Sequence, residues 1–434
     1  MNMTQGGFTQ VAAPSTSTGE RFGWRIMMRE LSHGYVSCET LTWIVLVSGL
    51  VLQRFAIPAG GSLKISIATP LVLGAAGWAL MCNSVVIEQR RLLMFLGLFA
   101  VAILSTAIQY NLPLAIAPRM SLTSLAYWLA ITAFAIVRFR RPMAELKFFG
   151  MVSLALQIVA VAGVLEFLLQ FVGIRIFEFT GIVPSQFLIE EQYAVVLGLE
   201  GGLLKSNGFF MIEPSVFSQV MALGIIVEAQ VFRRTERFAL FFVGLLMSAS
   251  GTGWIVLVSY IVVLAVGAGV RGLLGAIALA AVGAIAFGGL VLVAPDIAGT
   301  MTARMTEFTY AGTSGNERFV TPFLALDFVW TQSPRTTVTG AGPGSSELLA
   351  VPFFYRLNTP IKIVIEYGVF GLLFYLGLLL TGTRTSRQAL LVLPCLVLLL
   401  VAGGYHQFSP ILFLVILLCD CAFLQPVAEE APAA

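Results

Sequence analysis

Apolar runs recur along the whole chain, at roughly 41–57, 65–82, 92–109, 121–137, 148–170, 214–231, 238–249, 252–270, 272–294, 360–380, 389–402 and 408–425. About 20 helical residues cross ~30 Å of hydrocarbon, so runs of this kind predict membrane helices before any other feature is weighed. Composition agrees: 58% of the 434 residues are hydrophobic and 11% are charged, where a soluble domain has about 25% charge. Burial in a water-soluble core does not account for that balance. Between the runs no stretch is long enough for an independent soluble domain. The expected organisation is a cytoplasmic segment 1–40, one polytopic membrane domain 41–425, and a short disordered tail 426–434. The expected fold class is all-α, with about twelve transmembrane helices.

Several function classes drop out. A net charge of +3, with no basic cluster interleaved with aromatics, argues against nucleic acid as a partner. Cys38, Cys82, Cys395, Cys419 and Cys421 sit mostly in or beside apolar runs, and Cys419-x-Cys421 lacks the partners of a zinc site. Residues 1–40 are Ser/Thr/Gly-rich and then basic, with the first apolar run starting near Leu41. That pattern predicts a retained anchor and no cleaved signal peptide. No internal repeat is visible.

Positive charge is held on the cytoplasmic side of membrane proteins. With the N-terminus inside, short cytoplasmic segments hold fifteen of the 25 Lys and Arg, including Arg90, Arg91, Arg138, Arg140, Arg141, Arg233, Arg234 and Arg237. Seven of the remaining ten lie in or beside two long outer loops, about 171–213 and 295–359. Both termini are therefore expected in the cytoplasm. Charges in long outer loops are solvated or meet anionic headgroups. Lys205, Arg356 and Lys362, close to membrane entry points, suit the second reading.

The first outer loop closes on Lys205-Ser-Asn-Gly208-Phe-Phe-Met-Ile-Glu213-Pro214-Ser215. Pro and Ser suit a helix start, whose orphan N–H groups attract anions. Glu213 then either caps that helix or stands as a carboxylate over a lipid headgroup. The second loop carries Asn316-Glu317-Arg318, an amphipathic stretch 317–331 with Asp327, then Arg335 and Thr339-Gly-Ala-Gly-Pro-Gly-Ser-Ser346. This glycine run is no Walker A loop, because no Gly-Lys-Ser/Thr follows; it reads as a phosphate nest or a mobile turn. Next come Arg356, Leu357, Asn358 and a span holding Lys362 and Glu366, spaced to pair with each other.

In succession these segments resemble the O-antigen ligase and polymerase superfamily, which includes Wzy-type exopolysaccharide repeat-unit polymerases. Lys205, Gly208, Phe209, Glu213, Pro214 and Ser215 follow the family's loop before a central span. Ser248-Ala-Ser250-Gly-Thr252-Gly253 matches its Ser-x-Ser turn. Arg318 with Gly340, Gly342 and Gly344 fits its long loop, and Asn358 with Glu366-Tyr367-Gly368 fits the following span. Leu357 stands where the family has a histidine, and the chain's two histidines, His33 and His406, lie elsewhere. No histidine base carries over.

The resemblance implies a GT-C-like membrane glycosyltransferase in a bacterial inner membrane. Its substrate would be an oligosaccharide repeat unit on undecaprenyl pyrophosphate, and its partners a flippase and a chain-length co-polymerase. Stabilising a pyrophosphate leaving group takes a metal or cationic side chains. The outer loops show no carboxylate cluster spaced for Mg²⁺, so no cofactor is expected. Arg318, Arg335, Arg356 and Lys205 become the expected pyrophosphate ligands, and Ser215 and Asn358 further substrate contacts. Glu213 is the first candidate base, followed by Glu366 and Asp327. Ligase-type transfer to another acceptor and lipid flipping are the alternatives.

Overall fold

The computed structural model describes residues 36–59, 64–174, 179, 183–189, 204–275, 277–278, 309–310, 313–351, 355, 357–382, 385–401, 403 and 405–419. The predicted segment 1–40 up to residue 35, most of the run 272–294, the tail 426–434 and Arg356 lie outside them. The described chain is mostly helical. Its principal helices are α1 (Cys38–Leu50), α2 (Ala68–Met81), α3 (Gln89–Asn111), α4 (Leu122–Thr132), α5 (Glu145–Leu169), α6 (Pro214–Val227), α7 (Thr235–Ser248), α8 (Gly251–Gly267), α9 (Ser314–Phe319), α10 (Thr321–Gln332), α11 (Thr359–Leu380), α12 (Ser386–Leu396) and α13 (Ser409–Cys419).

Among the described residues, four helical stretches are long and apolar enough to cross a membrane: Gln89–Asn111, Glu145–Val172, Pro214–Phe232 and Thr359–Leu380. Shorter apolar helices accompany them, and the chain is a membrane protein on this ground. Local chemistry sets the helix starts. Ser37 and Ser121 accept hydrogen bonds from the backbone N–H groups of Thr40 and Ser124, and Thr385 with Gln388 forms a capping box. Proline occupies the first turn of α6, α10 and α11, where its missing N–H loses no helical bond.

Two small antiparallel pairs interrupt the expected all-helical pattern: β1 (Ala56–Pro58) with β2 (Lys64–Ser66), and β3 (Val85–Ile87) with β4 (Val137–Phe139). The first folds back within the α1–α2 connection and the second joins the α2–α3 and α4–α5 connections, where extended β-branched residues satisfy their backbone groups across a ladder.

Packing gathers the helices in three groups. α6 lies against α7 and α8, with α5 packed on α7; α11 lies along α3; and α13 sits between α1 and α12. Trp128 of α4 stacks on Tyr367 of α11 at 4.4 Å between ring centroids. One buried charge within this apolar body is paired, which offsets its desolvation. Glu228 is fully buried and takes Arg234 at both oxygens, with Nη2–Oε1 at 2.7 Å and Nε–Oε2 at 3.0 Å.

Candidate functional site

The segment entering α6 is held from several sides. Glu166, a buried carboxylate in α5, accepts hydrogen bonds at Oε2 from Ser206 Oγ (2.9 Å), Asn207 N (3.2 Å) and Phe209 N (3.0 Å). Gln170, one turn further along, exchanges two bonds with the Leu204 backbone. Arg54, buried at the end of the first apolar run, donates from Nε to Met211 O at 2.8 Å. Residues 204–211 thus reach Glu213 with their polar groups already engaged. Sequence reasoning missed Glu166 and Arg54 as anchors. A lone ionisable residue inside an apolar run was the available signal.

The turn Ser248–Gly253 fastens to the first turn of α6. Thr252 Oγ1 donates to Ser215 O (3.1 Å) and lies 3.1 Å from Ser218 Oγ, which accepts from Gly253 N at 3.1 Å. The two motifs meet as support for one helix N-terminus.

At that N-terminus Glu213 is the residue before Pro214, and its carboxylate does not cap its own helix. It turns instead to Arg318. Arg318 Nη2 donates to Glu213 Oε1 and Oε2 at 3.2 and 3.1 Å and lies 3.4 Å from Ser215 Oγ. Arg318 is presented by the last turn of α9, which Thr313 starts as N-cap. A third element completes the group: the Tyr405 hydroxyl donates to Glu213 Oε1 at 3.4 Å. Burial, and then the negative charge of Glu213, push the Tyr405 phenol up from its ordinary range, so it keeps its proton and serves as a donor. The ion pair itself is not sealed, with the side chains of Glu213 and Arg318 33% and 15% exposed. A carboxylate, a guanidinium, a hydroxyl and a phenol therefore converge at a helix N-terminus open to solvent. Tyr405 lay outside the sequence reading, because nothing local marks it among the residues between two apolar runs.

The other expected site residues fall elsewhere. Lys205 is buried beside the Glu166-anchored turn. Arg335 donates to the Leu112 carbonyl. Asp327 is exposed on α10. Asn358 is the N-cap of α11, its Oδ1 accepting from Ile361 N at 3.2 Å. Lys362 does not pair with Glu366; its Nζ reaches Glu347 Oε1 at 2.6 Å.

Glu366 belongs to a second assembly. α11 breaks at Gly368 (φ 71°, ψ −178°), and the glycine-rich segment docks into the break. Ala341 N and Gly342 N donate to the freed carbonyls of Ile365 (2.7 Å) and Glu366 (3.0 Å), and Ser105 Oγ also donates to Glu366 O at 2.8 Å. The Glu366 carboxylate is fully buried and accepts from Ser346. The N–H groups of Ala341 and Gly342 are thus used within the fold. Among the described residues, no three His, Cys, Asp or Glu side chains come together as a ligand set for a metal.

No family model matches the chain, and no curated protein is similar to it in sequence.

Proposed function

We propose that the protein polymerises undecaprenyl-pyrophosphate-linked oligosaccharide repeat units on the outer face of a bacterial inner membrane. On this reading it is a GT-C-like membrane glycosyltransferase of about twelve spans with both termini cytoplasmic. The supporting observation is the convergence of Glu213, Ser215 and Arg318. These residues come from two loops far apart in sequence, and each belongs to a motif of the resemblance.

The chemistry fits the group. In repeat-unit transfer the acceptor hydroxyl oxygen bonds to the anomeric carbon of the donor glycan. The bond from that carbon to the phosphate oxygen breaks, and its electron pair leaves with undecaprenyl pyrophosphate. Glu213 takes the acceptor's proton as general base. Arg318 faces the charge that grows on the pyrophosphate, and the Ser215 hydroxyl adds a neutral donor. Leu357 in place of a histidine favours polymerisation over ligase-type transfer, since the base is then a carboxylate.

Glycolipids from a deletion strain test the reading. Single lipid-linked repeats exposed on the outer face are the expected product. Accumulation of lipid-linked polymer would make the protein a ligase, and repeats confined to the inner leaflet would make it a flippase.

A further inference from the structure

Gln219 lies one helical turn from Ser215 along α6 and is fully buried. Neither its Nε2 nor its Oε1 has a hydrogen-bond partner among the described residues. Buried polar groups are nearly always satisfied, so each exception needs a reason. Tyr405, whose hydroxyl lies at the neighbouring Glu213, is close to this amide. Gln219 is near enough to act on the phenol but stays outside hydrogen-bond geometry. A phenol has one proton to give, and here it goes to Glu213 Oε1 over a long 3.4 Å contact. Tyr405 itself is fixed by its surroundings. A β-carbon at Gly403 would lie 2.5 Å from its Cζ, and Thr359 Oγ1 donates to Gly403 O at 3.1 Å. The ring is held, while the hydroxyl proton can rotate.

We propose that Tyr405 and Gln219 are positioning residues for the acceptor: the phenol donates to Glu213 until an acceptor sugar hydroxyl claims that carboxylate oxygen, and then turns to the Gln219 carbonyl. The amide is a parking partner for the phenol's proton, and its unmet state is the cost of keeping Glu213 available. This inference rests on reading Glu213 as the base of the polymerase. The proton stays on Tyr405 throughout, and the acceptor's own proton goes to Glu213.

The test uses purified full-length protein and the undecaprenyl-pyrophosphate-linked repeat extracted from a strain lacking it. Tyr405→Phe keeps the ring and removes the hydroxyl. It should lower kcat roughly ten-fold, the rate equivalent of one neutral hydrogen bond, with KM within about two-fold. Gln219→Met replaces the amide by an apolar chain of similar length. It should leave Tm equal or higher, because an unmet polar group is removed, while lowering kcat about three-fold. The double variant should be no slower than Tyr405→Phe alone, since both act through one hydroxyl. Additive losses overturn the inference, as does a Gln219→Met protein that melts lower at unchanged kcat. If Tyr405→Phe does not fold, Gln219→Met decides alone, and an unchanged kcat overturns the inference. A wild-type protein that polymerises, beside a Tyr405→Phe protein of equal rate, overturns this inference and leaves the polymerase reading standing. A wild-type protein that extends no glycolipid overturns both.

Discussion

Glu213 and Glu366 both stand in motifs that mark them as candidate bases, yet the fold treats the two carboxylates in opposite ways. Glu213 is one-third exposed, faces a guanidinium and a phenol from distant segments, and leaves its own helix uncapped. Glu366 is sealed in a broken helix, with Ser346 on its carboxylate and the glycine-rich segment bonded to its backbone carbonyl. A group that exchanges protons with a substrate needs access and a partner that can yield. A group that closes a gap between two backbones needs neither. The comparison separates chemistry from architecture more sharply than the motifs do.

Substituting Arg318 tests the first half of that contrast and should give the largest effect. Removing one donor of the oxyanion type costs roughly 10²–10³ in rate. We expect Arg318→Ala to lower polymerisation of the extracted glycolipid by about that factor, with normal membrane insertion. Arg318→Lys should recover only part, because an ammonium lacks the planar fork. Arg335→Ala, which loses a contact to a backbone carbonyl, is the control. Equal rates for wild type and both alanine variants would dissolve the distinction between the two regions.

The second half is tested at the break in α11. Gly368 and Gly340 both adopt φ near +70° with ψ near 180°, a region essentially reserved for glycine. A β-carbon at Gly368 would sit 2.1 Å from Val338 O, and one at Gly340 would sit 2.2 Å from Glu366 O. Gly368→Ala should therefore destabilise the protein by at least roughly 1–3 kcal/mol, read as a lower melting temperature in detergent. Any activity lost should track the folded fraction. A variant that melts like wild type but does not polymerise would move Glu366 back into the chemistry.

The smallest effect is expected at Lys362. Its ion pair with Glu347 has one partner 62% exposed, and exposed pairs contribute about 0–1 kcal/mol. Lys362→Ala should shift both melting temperature and rate only slightly. A large loss of rate at unchanged stability would place Lys362 beside Glu213 in function.

Apolar runs spaced along one chain suffice to establish a helical membrane protein, because hydrophobic length and helix-start chemistry are local properties. The helix beginning at Pro214 and the turn at Ser248–Gly253 were legible in this way, whereas the stretch 317–331, expected as one amphipathic helix, is divided at Val320 between α9 and α10. The small β1–β2 and β3–β4 pairs were not, since three-residue segments are too short to leave a periodic trace, and β3 and β4 lie in separate connections. The roles of individual polar residues were decided only in three dimensions. Spacing offered Lys362 to Glu366, and the fold gave it to Glu347. The glycine run had the composition of a phosphate nest, and the broken helix took the Ala341 and Gly342 N–H groups for its own freed carbonyls. Tyr405 and Glu166 became visible as parts of the site only once distant segments met. A hydrogen bond or ion pair depends on which atoms come within about 3 Å, and among residues hundreds of positions apart that distance is set by packing alone.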